Sequence, residues 1–161
     1  MRIGILTDSY KPYVSGVSTS IFTLAEGLIA AGHDVYIITP KYKGYKEYDK
    51  DYNYIFRVSG IRLPKKGASF LKYVPFPGRY LKRIDDLDLD VIHVHTELSI
   101  GKLAIKARKK YDIPVVYTVH TMYEEYLHFA SKFLAKYWKA PLMRIVKSKM
   151  RKFITSSDVT I

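Results

Sequence analysis

Three histidines carry the first chemical signal in the sequence. His93 and His95 alternate in the run DVIHVHTEL, and His120 closes the run VVYTVH. Residues two apart in an extended chain point to one side, so His93 and His95 share a face, and a neighbouring strand ending at His120 would bring a third imidazole beside them. A neutral imidazole in that place can donate to a sugar hydroxyl or stabilise developing charge, and His120, at a strand tip, is the best placed of the three. The same i, i+2 spacing suits a chelate with His120, Glu97 or Glu124 as third ligand. Histidines on buried strands are more commonly hydrogen-bonded core residues, and no metal is expected.

The second signal is the loop TDSYKPYVSGVSTSI, residues 7–21. It stands where a dinucleotide-binding chain would carry GxGxxG, yet it holds only Gly16. The second strand ends in Ile38, Thr39 and Pro40, with no acid to hold a ribose 2′-hydroxyl, so nicotinamide and flavin chemistry are disfavoured. Gly16 immediately precedes a helix start, where free backbone N–H groups and the helix dipole can hold a phosphate closely. The alternative is a glycine that only makes the turn.

The third signal is charge. Among 161 residues there are 27 Lys plus Arg against 15 Asp plus Glu, a net charge of +12, and no cysteine. The absence of cysteine excludes disulfide scaffolds, thiolate zinc sites and thiol nucleophiles. A hydrophobic fraction of 48% is too high for a disordered polycation. Most of the excess lies after residue 100, where 13 bases face 4 acids, and from Tyr126 to Ser157 there is no acid. Tyr126, Phe129, Ala130, Phe133, Leu134 and Tyr137 form one apolar helical stripe, with Lys132, Lys136 and Lys139 opposite it. Arg144, Lys147 and Arg151 continue the basic side. This is either a core-facing helix pair with a solvated basic back or an element lying on an acidic membrane surface with Trp138 as an anchor. Charge alone would also admit a non-enzymatic nucleic-acid binder, but the chain has neither zinc-finger spacing nor an RNP-like motif.

These residues need a scaffold. Apolar, β-branched runs at 2–7, 34–39, 54–58, 90–94 and 113–119 alternate with helical patterns at 18–31, 79–87 and 98–111, and the last nine residues return to strand character. Between the third and fourth runs, three prolines and two glycines mark an excursion loop. Alternation of this kind predicts an α/β fold, a Rossmann-like parallel sheet with helices on both faces and ligands beyond the carboxyl ends of its strands. The start reaches Asp8 too soon for a secretory signal, and no run approaches the roughly 18 apolar residues of a membrane span.

Taken in order, SYKPYVSGVSTSI, GLIAAGHDVYIITP, DVIHVHTELSIG and IPVVYTVHTMYEEYLHF resemble the N-terminal domain of a family 4 retaining glycosyltransferase of the GT-B type. Within that family the chain looks most like the bacterial 1,2-diacylglycerol 3-glucosyltransferases. The resemblance spans all 161 residues and implies an acceptor-binding first half of a two-domain enzyme, whose paired donor-binding glutamates would belong to a C-terminal domain beyond Ile161. It implies that Gly16 and Val17 present backbone N–H groups to the donor diphosphate and that His120 contacts the transferred hexose. It makes Asp8, Tyr13, His95, Glu97, Tyr123 and Tyr126 candidates for the acceptor site, and Lys132, Lys136, Trp138, Lys139, Arg144, Lys147 and Arg151 candidates for a membrane contact. The implied partners are a nucleotide-sugar such as UDP-glucose, diacylglycerol and the anionic inner face of the cell membrane; the nucleotide-sugar is a co-substrate, and no cofactor is expected. A soluble or polyprenyl-linked glycan is the alternative acceptor.

Overall fold

The computed structural model describes residues 1–62, 72–97, 99–120 and 139–161. In chain order its elements are β1 (Arg2–Leu6), α1 (Gly16–Ala30), β2 (Asp34–Pro40), α2 (Tyr45–Tyr48), β3 (Ile55–Val58), β4 (Ile61–Arg62), β5 (Lys72–Tyr73), α3 (Leu81–Asp85), β6 (Val91–Val94), α4 (Ser99–Tyr111), β7 (Val115–Tyr117), α5 (Lys139–Ile154) and β8 (Val159–Thr160). Six strands form one sheet in the order β3, β2, β1, β6, β7, β8, with every neighbouring pair parallel. The α/β expectation therefore holds. The chain reverses its direction of travel between β1 and β6, and the loops after those two strands open beside each other at the carboxyl edge.

Alternation along the strands divides the core in two. Ile3 and Ile5 of β1 and Val35 and Ile37 of β2 pack against Ile21 and Ala25 of α1. Leu6, Ile38, Ile92, Val94, Val115 and Tyr117 point the other way, against Ile84 of α3, Ile100, Leu103, Ala104 and Ala107 of α4, and Phe153 of α5. Each fully buried Ile or Leu contributes about 1.5–3 kcal/mol to burial. Both faces of the sheet are thus covered, by α1 on one side and by α3, α4 and α5 on the other. Among the described residues no helix is long and apolar enough to cross a membrane.

Several boundaries differ from the sequence expectation. Helix α1 begins at Gly16 because Ser15 caps it reciprocally with Ser18. The stretch after Pro40 contains α2 and a 3-10 turn at Asp49–Asp51 where sequence suggested only loop. Arg57, with 4% of its side chain exposed, anchors that stretch through a double contact with Asp49 and through the carbonyls of Pro40 and Lys11. In the excursion, β4 and β5 pair antiparallel over two residues each, too short for a periodic signal. The last strand is confined to Val159–Thr160, since Phe153 and Ile154 complete α5. Asp158 fixes it by accepting from the Arg108 guanidinium at 2.6 and 2.8 Å and from the Val115 N–H.

Candidate active site

The loop leaving β1 turns inward at Asp8, which is 3% exposed. Its Oδ2 accepts from Thr96 Oγ1 at 2.7 Å, and its Oδ1 accepts from Ser99 Oγ at 2.9 Å and the Ile100 N–H at 3.4 Å. The Tyr42 hydroxyl donates to its carbonyl. Burial pushes the Asp8 carboxyl up to about 6, against the opposing pull of those hydrogen bonds. This carboxylate occupies the amino end of α4, and Ser99 Oγ in turn accepts from Val74 N–H at 3.0 Å, tying the excursion to the same knot. Gly101 lets α4 start so close to the β6 loop, for a Cβ there would stand 1.9 Å from the Thr96 carbonyl oxygen. Asp8, proposed from sequence as an acceptor contact, thus has its carboxylate taken up inside the protein.

The amino end of α1 is different. Ser15 Oγ accepts from Ser18 N–H at 3.1 Å and Ser18 Oγ accepts from Ser15 N–H at 2.7 Å, while no hydrogen bond among the described residues takes up the N–H of Gly16 or Val17. Gly16 has no positive φ, and a Cβ on it would meet nothing within 4 Å. Neither the turn nor internal packing requires glycine there, which removes the support for a glycine that only makes the turn. The surface it leaves bare lies over two unoccupied N–H donors. Tyr13, on the same loop, stacks on Tyr42 with ring centroids 5.9 Å apart.

The carboxyl ends of β6 and β7 bring the histidines together. His93 and His95 face the same side, with ring centroids 4.1 Å apart. His95 Nδ1 lies 2.7 Å from His120 Nε2, and His93 Nε2 lies 2.7 Å from Thr118 Oγ1. Burial lowers all three: His93 to about 4, His95 to about 2, and His120 below its ordinary value. All are neutral imidazoles at neutral pH. His95 Nε2 is buried and has no partner among the described residues. Next to this ladder, the Tyr117 hydroxyl donates to Glu97 Oε2 at 3.0 Å, while buried Glu97 Oε1 has no partner among the described residues. Burial raises the Glu97 carboxyl, with the Tyr117 bond opposing.

Gly16, Val17, Tyr13, Asp8, His95, Glu97 and His120 therefore all lie at the carboxyl edge of the three central strands. Tyr123, Tyr126, Lys132, Lys136 and Trp138 lie outside the described residues. Lys139 opens α5, and Arg144, Lys147 and Arg151 are exposed along it. Among the described residues no group of three His, Cys, Asp or Glu side chains is arranged to hold a metal. Sequence reasoning passed over Thr96, Ser99, Tyr42 and Arg57. Only the Arg in the apolar run IFRV broke a pattern visibly enough to be noticed, since a lone guanidinium inside a strand needs a carboxylate and carbonyls around it.

Residues 14–161 match the family model described as Glycosyltransferase Family 4. The chain is 44% identical over 137 residues to the alpha-monoglucosyldiacylglycerol synthase of Acholeplasma laidlawii, covering 85% of this chain and 34% of that protein. It is 40% identical over 136 residues to the protein of the same name from Streptococcus pneumoniae, covering 82% and 29%. A phosphatidyl-myo-inositol mannosyltransferase of Mycolicibacterium smegmatis is 32% identical over 126 residues, covering 75% and 31%. A solved structure, Acinetobacter baumannii MurG, aligns with a TM-score of 0.49 at 14% identity over 73% of this chain and 33% of that one, a likeness too distant to add to the fold described above. The chain spans about a third of the length of the relatives it matches. Matched by the family model over nearly its whole length, the chain belongs to glycosyltransferase family 4.

Proposed function

We propose that this chain serves, within a protein of the length of its relatives, as the acceptor-side domain of a retaining GT-B glycosyltransferase that moves glucose from UDP-glucose to the 3-hydroxyl of diacylglycerol at an anionic membrane surface. The observation that carries the reading is the meeting, at one sheet edge, of the unoccupied N–H groups of Gly16 and Val17 with the His95–His120 pair. The first suits a diphosphate, because N–H dipoles at a helix start favour negative charge. The second suits a hexose, because a neutral imidazole can hydrogen-bond a sugar hydroxyl without introducing charge. The names borne by the two most similar proteins quoted above point to the same donor sugar and acceptor.

In this mechanism Gly16 and Val17 hold the leaving diphosphate, and His120 orients the transferred sugar and stabilises charge at the transition state. Tyr13, Glu97, Tyr123 and Tyr126 border the acceptor hydroxyl, with Asp8 bracing the loop that carries Tyr13. The exposed basic residues of α5 keep the domain at the lipid surface.

The test is product formation by the full-length parent from UDP-glucose and diacylglycerol in vesicles containing anionic lipid. Monoglucosyldiacylglycerol is expected. Turnover only with GDP-mannose, or only on a soluble or polyprenyl-linked glycan, overturns the proposed donor or acceptor respectively. His120→Ala should lower kcat by about 100-fold, as loss of one transition-state hydrogen bond does, with little change in donor binding. Gly16→Val should raise the donor KM while leaving the fold intact, because the new Cβ meets no protein atom within 4 Å and the side chain adds bulk beside the N–H groups a diphosphate would approach.

A further inference from the structure

The hydrogen bond between His95 Nδ1 and His120 Nε2 can carry its proton on either ring. Two neutral imidazoles sharing one N–H have two arrangements. If His120 Nε2 donates, His95 must hold its own proton on Nε2, which is sealed from solvent and faces no acceptor among the described residues. If His95 Nδ1 donates, the sealed Nε2 is an unprotonated ring nitrogen. A buried N–H without an acceptor is the rarer defect in folded proteins, and in a neutral imidazole the bond made at one nitrogen decides which nitrogen is protonated.

We propose that His95 is a positioning residue whose Nδ1–H holds His120 in the Nδ1–H tautomer. His120 Nε2, engaged as an acceptor, then has no lone pair left for a substrate. His120 Nδ1 makes no hydrogen bond among the described residues, and the ring is half-buried, so the group it offers is an N–H donor. This restricts His120 to donating toward an oxygen that is or becomes electron-rich, and removes it as a general base. Its partner would be a hexose hydroxyl or ring substituent acting as acceptor. His93, tilted 35° against His95 with ring centroids 4.1 Å apart and bonded to Thr118, holds the His95 ring against rotation. That His120 meets a hexose rests on the function proposed above; the tautomer does not.

The experiment is a long-range proton–nitrogen correlation spectrum of the 161-residue chain labelled with 15N histidine, recorded above the ordinary histidine titration range. Expected are a pyrrole-type shift at His120 Nδ1 and a pyridine-type shift at His120 Nε2, with the same assignment on His95. In His95→Phe, which keeps a flat ring and removes the donor, the His120 shifts should move toward the Nε2–H tautomer that a free imidazole side chain favours. In His95→Asn, whose amide N–H can stand near the place of Nδ1, the Nδ1–H pattern should return. Protonation of His120 at Nε2 in the unaltered chain, or an unchanged Nδ1–H pattern in His95→Phe, overturns the proposal. Should His95→Phe fail to fold, the unaltered chain and His95→Asn still decide it, because Nε2 protonation in either is the opposing result. A parent enzyme inactive on diacylglycerol would sink the proposed function and leave these spectra unaffected.

Discussion

Burial makes Asp8 and the histidine ladder pull the stability of the fold in opposite directions as pH changes. His93 falls from 6.5 to about 4 on folding and His95 to about 2. Below pH 6.5 the unfolded chain binds protons that the folded chain refuses, so their contribution is complete above 6.5 and is lost as pH falls. For His93 this amounts to about 3 kcal/mol by pH 4. Asp8 rises from 3.8 to about 6, so the folded state binds the extra proton and its contribution is greatest below 3.8 and lost as pH climbs through 6. Asp158 lies outside that window, for the Arg108 guanidinium holds it at about 2, and its contribution is lost only as pH falls from 3.8 through 2. With three imidazoles against the raised carboxyls of Asp8 and Glu97, the melting temperature should fall between pH 6.5 and 4.5, and Asp8→Asn should make that fall steeper by removing one of the opposing groups. A flat profile, or a shallower one in the variant, would contradict these assignments. The histidine geometry was legible in the sequence, because alternation alone sets His93 beside His95. The inward turn of Asp8 was not, since its donors Thr96 and Ser99 lie 88 and 91 residues further along the chain.

Helices α1 and α4 both begin at the carboxyl edge of the sheet, and they dispose of their free N–H groups in different ways. At α4 the Asp8 carboxylate fills the position, and Gly101 is pressed against the Thr96 carbonyl. At α1 the Ser15–Ser18 box satisfies the N–H groups of Ser15 and Ser18 and leaves those of Gly16 and Val17 open. Glycines on these helices should therefore respond oppositely to the same substitution. Gly101→Ala forces a methyl against backbone and should cost about 2–3 kcal/mol in chemical denaturation, as overpacking does. Gly27→Ala, inside α1 with nothing within 4 Å of the new methyl, should stabilise by about 0.4–1 kcal/mol through reduced unfolded-state entropy. Equal effects at the two sites would show that α4 does not start where the structure places it. Periodicity located every long element within two or three residues. It missed α2 and the β4–β5 pair, which span barely one period each and whose stability comes from the distant contacts of Arg57 and Ser99 rather than from local pattern.

Across the whole molecule, charge is sorted by helix layer. The excess had looked like a property of the C-terminal amphipathic segment, but the described helices on one side of the sheet share it. Arg79, Lys82 and Arg83 at α3, Lys102, Lys106, Lys109 and Lys110 on α4, and Arg144, Lys147, Arg151 and Lys152 on α5 are all exposed. On the opposite face α1 has Glu26 and no base, and the short α2, whose Tyr48 packs there as well, balances Lys46 with Glu47. Such a polarised molecule has a preferred way to lie on an acidic bilayer, with the α3, α4 and α5 layer toward the lipid, and this can be separated from nonspecific attraction of a polycation. The 161-residue chain should float with vesicles containing anionic lipid and be released as salt rises from about 0.1 M to about 1 M, where the screening length falls from about 10 Å to about 3 Å. Lys102→Ala with Lys109→Ala removes two contacts of about 1 kcal/mol each, so partitioning should weaken roughly 30-fold. Ser20→Glu together with Thr23→Glu on the exposed face of α1 subtracts the same net charge from the other side and should leave partitioning nearly unchanged. If the two double variants lose binding equally, total charge rather than orientation governs the attraction, and the helix layer is a solvated surface with no membrane-facing role.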